Sequence, residues 1–186
     1  MKRLGGKDAF AKKLDDLFTA ESKTTGREQA DISGLIGQYA HGNEPSHNMA
    51  YLYDYAGQPW KTQERVRQIL DNFYKPLPDG LIGNEDCGQM SAWYIMSAMG
   101  IYEVTPGAGY YAIGTPLFPQ VVIHLENGKS IKLTAENPSA ERKYIFSVSV
   151  NGKPVSAPFI SREALLNGGT VEFKMQSNPE KRSEEH

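Results

Sequence analysis

The strongest constraint on the fold is a change in hydrophobic spacing near Gly100. Before it, apolar residues recur every three or four positions, and the clearest stripe runs through residues 66–73. This spacing is typical of an amphipathic helix. After Gly100, apolar and polar residues alternate, as in residues 131–135, which is typical of a half-buried strand. Helices followed by strands predict an α+β fold with segregated elements.

The same change divides the chain into three parts. We predict a helical segment at residues 1–100, an antiparallel β segment at residues 101–176 and a polar tail at residues 177–186. Helices are expected over residues 7–19, 49–55, 60–74 and 88–99, with a short helical turn at 161–166. Strands are expected over residues 101–104, 110–113, 120–125, 130–135, 143–150 and 170–175. Asn-Gly pairs at Asn127 and Asn151 predict hairpin turns.

Composition excludes several classes of protein. The 186 residues carry a net charge of −2, so the chain lacks the basic excess that nucleic-acid binding requires. No apolar segment is long enough to cross a membrane, and none follows the basic start in the way that a signal peptide requires. The single cysteine, Cys87, excludes an internal disulfide, and we expect it to be a buried or semi-buried structural thiol. The apolar face of the helix at residues 7–19 has nothing before it to cover it, which suggests part of a larger protein.

Residues 83–94 combine a polar turn with the start of an apolar helix. Two adjacent carboxylates, Glu85 and Asp86, lie between the carboxamides of Asn84 and Gln89. A helix N-terminus offers free N–H groups and a positive dipole end, which lower the pKa of a carboxylate and fix its direction. Such a carboxylate suits a general base or a metal ligand. The alternative is structural, with Asp86 as the N-cap of a core helix.

Residues 41–48 form a second polar cluster. Glu44 and Asn43 supply the carboxylate and carbonyl oxygens that a hard ion such as calcium prefers. His41 and His47 are six positions apart, which does not match the spacing of a helical zinc pair, so zinc is the weaker hypothesis. The structural alternative is a polar helix cap at the surface.

These motifs together resemble glycoside hydrolase family 92, a family of exo-acting α-mannosidases. The resemblance is carried by residues 41–47, 51–53, 57–63, 80–81 and 83–94, with weaker support at 100–102 and 106–107. It implies an N-terminal β-sandwich, a helical (α/α) toroid and C-terminal strands in enzymes several times larger than this chain. The chain resembles only their C-terminal part, so its helical segment is expected to be part of a toroid.

The resemblance also implies calcium-dependent, inverting hydrolysis of α-mannosides. Inverting enzymes use two carboxyl groups about 6.5–9.5 Å apart, with a water between the base and the sugar. Asp86 matches the general base and Glu44 a calcium ligand, and Glu85 is expected either to support catalysis or to point away from the site. Four polar side chains are then expected to contact the mannose: Asn43, His47, Asn84 and Gln89. Asn84 stands where some members carry another acid, and Asn48 stands where a second histidine is expected.

One part of the family's machinery has no match in this sequence. The general acid lies in a Glu-Gly-Asn-Ala-Trp segment of the family, and no such segment occurs here. The resemblance therefore predicts that these residues alone have little or no mannosidase activity. Two further hypotheses stay open: a non-catalytic carbohydrate-binding module that uses the same polar loops, and an oligomer that associates through exposed helix faces.

Overall fold

The computed structural model describes residues 1–23 and 32–179 and has the α+β fold that the sequence predicts. Five α-helices lie at α1 (Lys7–Thr19), α2 (Leu52–Tyr55), α3 (Pro59–Phe73), α4 (Gln89–Ala98) and α5 (Arg162–Leu166). Each expected helix is present within about one residue, except that residues 49–55 divide into a 3₁₀ turn, Met49–Tyr51, and α2. The polar composition of residues 21–28 also predicts a loop. Most of that loop and most of the expected tail lie in residues 24–31 and 180–186, which are outside the described residues.

The two long helices bury the faces that their spacing predicts. α1 buries Ala11, Leu14 and Phe18. α3 begins at Pro59, whose ring suits the first helical position because the missing N–H has no partner there anyway. Its buried residues include Val66, Ile69 and Leu70.

The described strands form three sheets. Their bounds are β1 (Leu35–Ile36), β2 (Tyr39–Ala40), β3 (Ile101–Tyr102), β4 (Tyr110–Ile113), β5 (Gln120–His124), β6 (Ser130–Ala135), β7 (Tyr144–Val150), β8 (Lys153–Val155), β9 (Phe159–Ser161) and β10 (Gly169–Gln176). The orders are β1-β2, β3-β4-β9 and β5-β6-β10-β7-β8. The two predicted hairpins are confirmed as β5–β6 and β7–β8, and Asn151 (φ 51°) and Gly152 (φ 75°) adopt the positive φ that a tight hairpin turn uses.

One strand pairing differs from the antiparallel expectation. β10 pairs antiparallel with β7 but parallel with β6, in a register that places Gly169 opposite Ile131. Parallel neighbours need a long connection, and here residues 136–168 supply it. Hairpin signals report only adjacent strands, which explains why the sequence did not reveal this pair.

A short hairpin that the sequence did not predict, β1–β2, packs against α1. A Cβ atom on Gly37 would lie 2.4 Å from the carbonyl oxygen of Leu17, so only glycine permits this approach. The loop also donates from the Gln38 N–H to the Leu17 carbonyl at 2.8 Å.

Helix α4 is less buried than its composition suggests. Met90 and Trp93 are buried, but Ile95 is 55% exposed and Ala92 is also exposed. An apolar composition like that of α4 is typical of a helix buried on most sides, but one side of this helix, at Ala92 and Ile95, is exposed. No helix within residues 1–23 and 32–179 has the length and apolar character needed to span a bilayer.

Candidate functional site

The two polar motifs meet through their backbones. A Cβ atom on Gly83 would lie 2.7 Å from the Cα of Gly42, and one on Gly42 would lie 2.0 Å from Ser33 Oγ. Side chains at these positions would push the loops apart. The two glycines therefore bring residues 41–48 and 83–89, which are distant in sequence, into one site.

Glu85, rather than Asp86, satisfies the start of α4. Its Oε1 accepts from the Ser91 N–H at 3.1 Å, one of the N–H groups that a helix N-terminus leaves without an internal partner. The N-cap position itself is Gly88, which has a φ of 95°. The structural alternative for Asp86, an N-cap, is therefore wrong, because the neighbouring carboxylate does the capping.

Asp86 lies in a left-handed turn. Asp86, Cys87 and Gly88 have φ values of 49°, 55° and 95°. A left-handed conformation costs an L-residue with a side chain about 1–2 kcal/mol, and backbone strain of this kind concentrates at functional sites. The turn exposes the side chains of both Asp86 and Cys87. The expectation of a buried or semi-buried thiol is therefore wrong.

His47 lies beneath these loops with both ring nitrogens occupied. It is 1% exposed, and its Nε2 lies 2.9 Å from the carbonyl oxygen of His41, so Nε2 carries the hydrogen. Its Nδ1 then accepts from Gln89 Nε2 at 3.2 Å. Burial lowers the pKa of His47, while the His41 carbonyl and the carboxylates of Glu44 and Asp86 oppose that shift. Glu44 belongs to the first motif and Asp86 to the second, so both motifs contribute negative charge around His47.

His41 forms a second buried layer. It is fully buried, Tyr39 Oη lies 2.8 Å from its Nδ1, and Tyr74 Oη lies 2.7 Å from its Nε2. Tyr74 Oη also donates to the Met90 carbonyl at 3.2 Å, so the ring donates from Nε2 and accepts from Tyr39. Burial, and to a lesser extent His47, lowers the pKa of His41 to about 3. This histidine is therefore neutral at pH 7 and serves the core.

Aromatic residues outside the predicted set of site residues hold this layer in place. Trp93 donates from Nε1 to the carbonyl of His47 at 2.9 Å and stacks on Tyr74, with ring centroids 5.9 Å apart and an interplanar angle of 8°. Burial raises the pKa of Tyr102, and the nearby Gln89 side chain opposes that shift. The position of Tyr74 gives a sequence clue to this packing. An aromatic residue with a polar tip at the end of a helix often buries its ring and uses its hydroxyl in a hydrogen bond.

The predicted site residues divide into an exposed and a buried group. Glu44, Asn84 and Asp86 are exposed, and Asn43 is half-buried at the start of the 3₁₀ turn Glu44–Ser46. Glu85, Gln89 and His47 lie deeper and bond within the chain. A substrate contact by His47 would require one of its two hydrogen bonds to break.

The oxygen atoms of Glu44 and Asn43 are ligands of the type that a hard cation prefers. The carboxylate of Glu44 and the amide of Asn43 are oxygen ligands of the type calcium takes. Within residues 1–23 and 32–179, no three His, Cys, Asp or Glu side chains are grouped so as to hold a metal ion. An ion at Glu44 would thus take further ligands from amide or carbonyl oxygens, water or sugar hydroxyls.

Comparison with known proteins gives consistent matches. Residues 1–177 match the profile of the glycosyl hydrolase family 92 catalytic domain. A family GH92 α-mannosidase from Bacteroides thetaiotaomicron, solved with mannoimidazole, is 43% identical, with a TM-score of 0.89 over 94% of this chain. A GH92 inverting mannosidase from the same organism is 39% identical, with a TM-score of 0.79 over 95% of this chain. An uncharacterized secreted glycosidase from Arthroderma benhamiae is 31% identical over 92% of this chain.

The chain spans only part of these relatives. It covers 23% and 25% of the two bacterial chains and 20% of the fungal protein.

Proposed function

The chain belongs to glycosyl hydrolase family 92, and from that premise we propose that it forms the base-bearing part of an α-mannosidase active site. The single observation that carries the proposal is the placement of Asp86. Its exposed side chain projects from a left-handed turn, and its charge acts on the same imidazole as that of Glu44. Two of the bacterial relatives are described as α-mannosidase and inverting mannosidase.

In the proposed reaction Asp86 is the general base. Its carboxylate takes a proton from a water, and the water oxygen bonds to the anomeric carbon as the bond to the leaving oxygen breaks on the opposite face. The product is then a β-mannose. Asn84 orients the water, since a carboxamide donates and accepts hydrogen bonds but does not take a proton at neutral pH.

The neighbouring side chains position the base. Glu85 fixes the turn by capping α4, and the Gln89–His47 pair links that helix to the other motif loop. Asn43 and Glu44 lie at the edge of that loop, where the sugar would bind. Glu44 would hold a calcium ion, which when bound orients and polarises sugar hydroxyls.

These residues alone are proposed not to hydrolyse ordinary α-mannosides, because no general acid is matched among them. General acid catalysis contributes about two to four powers of ten in rate. A fluoride leaving group needs no such acid. We therefore propose α-mannosyl fluoride as the substrate that isolates the contribution of Asp86.

The test compares this chain with its Asp86→Asn variant on α-mannosyl fluoride, with calcium or with a chelator. We expect slow hydrolysis that gives β-mannose by NMR, falls about 10²–10⁴-fold in the variant and decreases with the chelator. Methyl α-mannoside, whose leaving alkoxide must be protonated by a general acid, should show no turnover by either protein.

Two outcomes would reject the proposal. An α-configured product would exclude inversion, and an unchanged rate in Asp86→Asn would exclude this residue as the base. Binding of mannoimidazole with no fluoride hydrolysis at all would instead favour a non-catalytic carbohydrate-binding module. Isosteric Asp79→Asn, which alters an exposed carboxylate outside both motifs, serves as the control.

A further inference from the structure

The five-stranded sheet has two edges that differ in composition. Its strands run in the order β5-β6-β10-β7-β8, so β5 forms one edge and β8 the other. Among the described strands, only β6 pairs with β5. An open edge presents unpaired N–H and C=O groups, which act as a template for another strand, and native proteins usually protect such edges.

The β8 edge carries the usual protection. The strand is only three residues long, and it contains both Lys153 and Pro154. A charged side chain resists burial and a proline has no N–H to donate, so both residues discourage pairing with a further strand. This edge suits contact with solvent.

The β5 edge lacks this protection. Its five residues, Gln120–His124, include no proline and no lysine, arginine, aspartate or glutamate. Val121 and Ile123 are only half-buried against the sheet core, and Val122, on the opposite face, is 43% exposed. Apolar, uncharged edge strands of this length pair readily with other strands, so the composition of β5 favours a partner at this edge.

The hydrogen bonds between β5 and β6 show which backbone groups of β5 are open. At the two ends of the pair, the Ala135 N–H donates to the Pro119 carbonyl at 3.0 Å, and the Leu125 N–H donates to the Lys129 carbonyl at 2.8 Å. Successive residues of an antiparallel strand direct their backbone groups to alternate sides. Residues 121 and 123 therefore bond to β6, and the N–H and C=O groups of residues 120, 122 and 124 face outward.

The outward groups are self-complementary about Val122. When two copies of β5 run antiparallel with Val122 opposite its own equivalent, Gln120 of each copy lies opposite His124 of the other. Every outward N–H then meets an outward carbonyl. Within the strand, any other symmetric register leaves some of these groups unpaired. Val121 lies opposite Ile123 in the same arrangement, which forms apolar cross-strand pairs on the core face.

We propose that β5 is a dimerisation edge, at which a second copy of this chain adds its own β5 in antiparallel register about Val122. The two five-stranded sheets then continue into one another. This contact differs from association through exposed helix faces, and it does not depend on the proposed mannosidase function.

The first test measures the mass of the full chain against concentration by sedimentation equilibrium. We expect a reversible rise from 20.6 kDa toward twice that mass. Amide hydrogen exchange then locates the contact. Residues 121 and 123 should be protected at every concentration because they bond to β6, whereas residues 120, 122 and 124 should gain protection only as the dimer forms.

A charge-swap pair tests the register. Because Val122 would lie on the two-fold axis, Val122→Lys places two positive charges opposite each other, and Val122→Glu places two negative charges there. Each variant alone should dimerise about tenfold more weakly. An equimolar mixture should dimerise again, because a lysine then faces a glutamate. Val122→Thr keeps an uncharged β-branched side chain and should dimerise like the natural sequence. Melting curves confirm that each variant is folded.

Four results would overturn the proposal. The first is a monomer at all concentrations up to about 1 mM. The second is protection of residues 120, 122 and 124 that does not change with concentration, since a segment of the same chain would then cover the edge. The third is a dimer that persists unchanged in Val122→Lys and Val122→Glu, which would assign association to another surface. The fourth is a mixture of these variants that stays monomeric, which would exclude pairing about Val122.

Discussion

The core of the helical segment and the core beside the five-stranded sheet differ in their content of polar residues. In the described chain, six of the seven buried polar residues belong to the helical segment, and the seventh, Thr115, precedes the five-stranded sheet. The six are His41, His47, Asp54, Thr62, Gln63 and Ser97. The sheet core is almost wholly aliphatic, with buried residues such as Ile131, Leu133, Val148 and Val171.

This difference in composition suggests that the two cores have different roles. An aliphatic core is non-directional and tolerates repacking, whereas a hydrogen-bonded polar core fixes one arrangement and is costly when any partner is lost. Of the six, His41 and His47 lie directly beneath the loops that carry Glu44 and Asp86. We infer that the sheet holds the chain together and that the polar core sets the positions of the candidate catalytic side chains.

The largest effect should come from Trp93→Ala, which removes both the Tyr74 stack and the hydrogen bond to His47. We expect a loss of about 3–5 kcal/mol in the free energy of unfolding, measured with urea. Phe173→Ala in the sheet core should cost a similar amount. Trp93→Ala should in addition slow the Asp86-dependent hydrolysis of α-mannosyl fluoride, whereas Phe173→Ala should not. An equal loss of hydrolysis in folded Phe173→Ala would contradict the assignment of different roles to the two cores.

Acid should weaken the polar core through His41. Its folded pKa is about 3, below the unfolded value of 6.5, so the unfolded state binds more protons between these values. The stability due to neutral His41 is therefore complete above pH 6.5 and is lost as the pH falls toward 3, by roughly 5 kcal/mol in total. His47, whose pKa is also lowered, acts in the same direction.

Urea unfolding between pH 4 and 7 measures this effect in the natural sequence and in His41→Gln. The free energy of unfolding should depend more steeply on pH in the natural sequence, with a slope that corresponds to about one additional proton bound on unfolding. Equal slopes would mean that His41 is not buried as a neutral ring.

Asp54→Asn should stabilise the protein by about 1–2 kcal/mol at pH 7, because it removes a buried ionisable group that has no hydrogen-bond partner among the described residues. The folded pKa of Asp54 is raised, so the folded state holds a proton that the unfolded state releases above pH 3.8. Its penalty is absent below that pH and grows above it. A gain that is the same at pH 3.5 and pH 7 would contradict this account.

The smallest effect is expected at the strained turn. Cys87→Gly should stabilise the chain by up to about 1 kcal/mol, because glycine adopts a φ of 55° without cost from a side chain. Cys87→Ala keeps the Cβ atom and should give no gain. Thermal melts of the two variants, run side by side, distinguish relief of backbone strain from loss of the thiol.

Sequence periodicity was enough to predict the helices and the longer strands. The predicted helix at residues 60–74 is observed as Pro59–Phe73, because its apolar stripe is long and continuous and its start is marked by proline. The Asn-Gly hairpins were likewise readable, since that pair prefers the positive φ values a tight turn demands. The short β1, β2, β8 and β9 were not predicted, because two or three residues carry too little pattern.

The candidate site was readable only in part. The motifs lie on two loops that the structure brings together. Spacing, however, does not reveal which of two adjacent carboxylates turns toward a helix end, and Glu85 rather than Asp86 does so. Nor did the sequence distinguish a ligand histidine from a core histidine: the partners of His41 are Tyr39 and the distant Tyr74. Contacts between residues so far apart depend on the tertiary fold.

The position of β10 also has a consequence for how the protein is made. Of the five strands in its sheet, β10 is the last to leave the ribosome, yet it lies in the middle, between β6 and β7. Until residue 169 has emerged, β5–β6 and β7–β8 exist as two separate hairpins, which are marginal in water on their own. The five-stranded sheet can therefore form only after β10 has been synthesised, because β10 pairs with both hairpins. Until then the apolar faces of the two hairpins stay exposed.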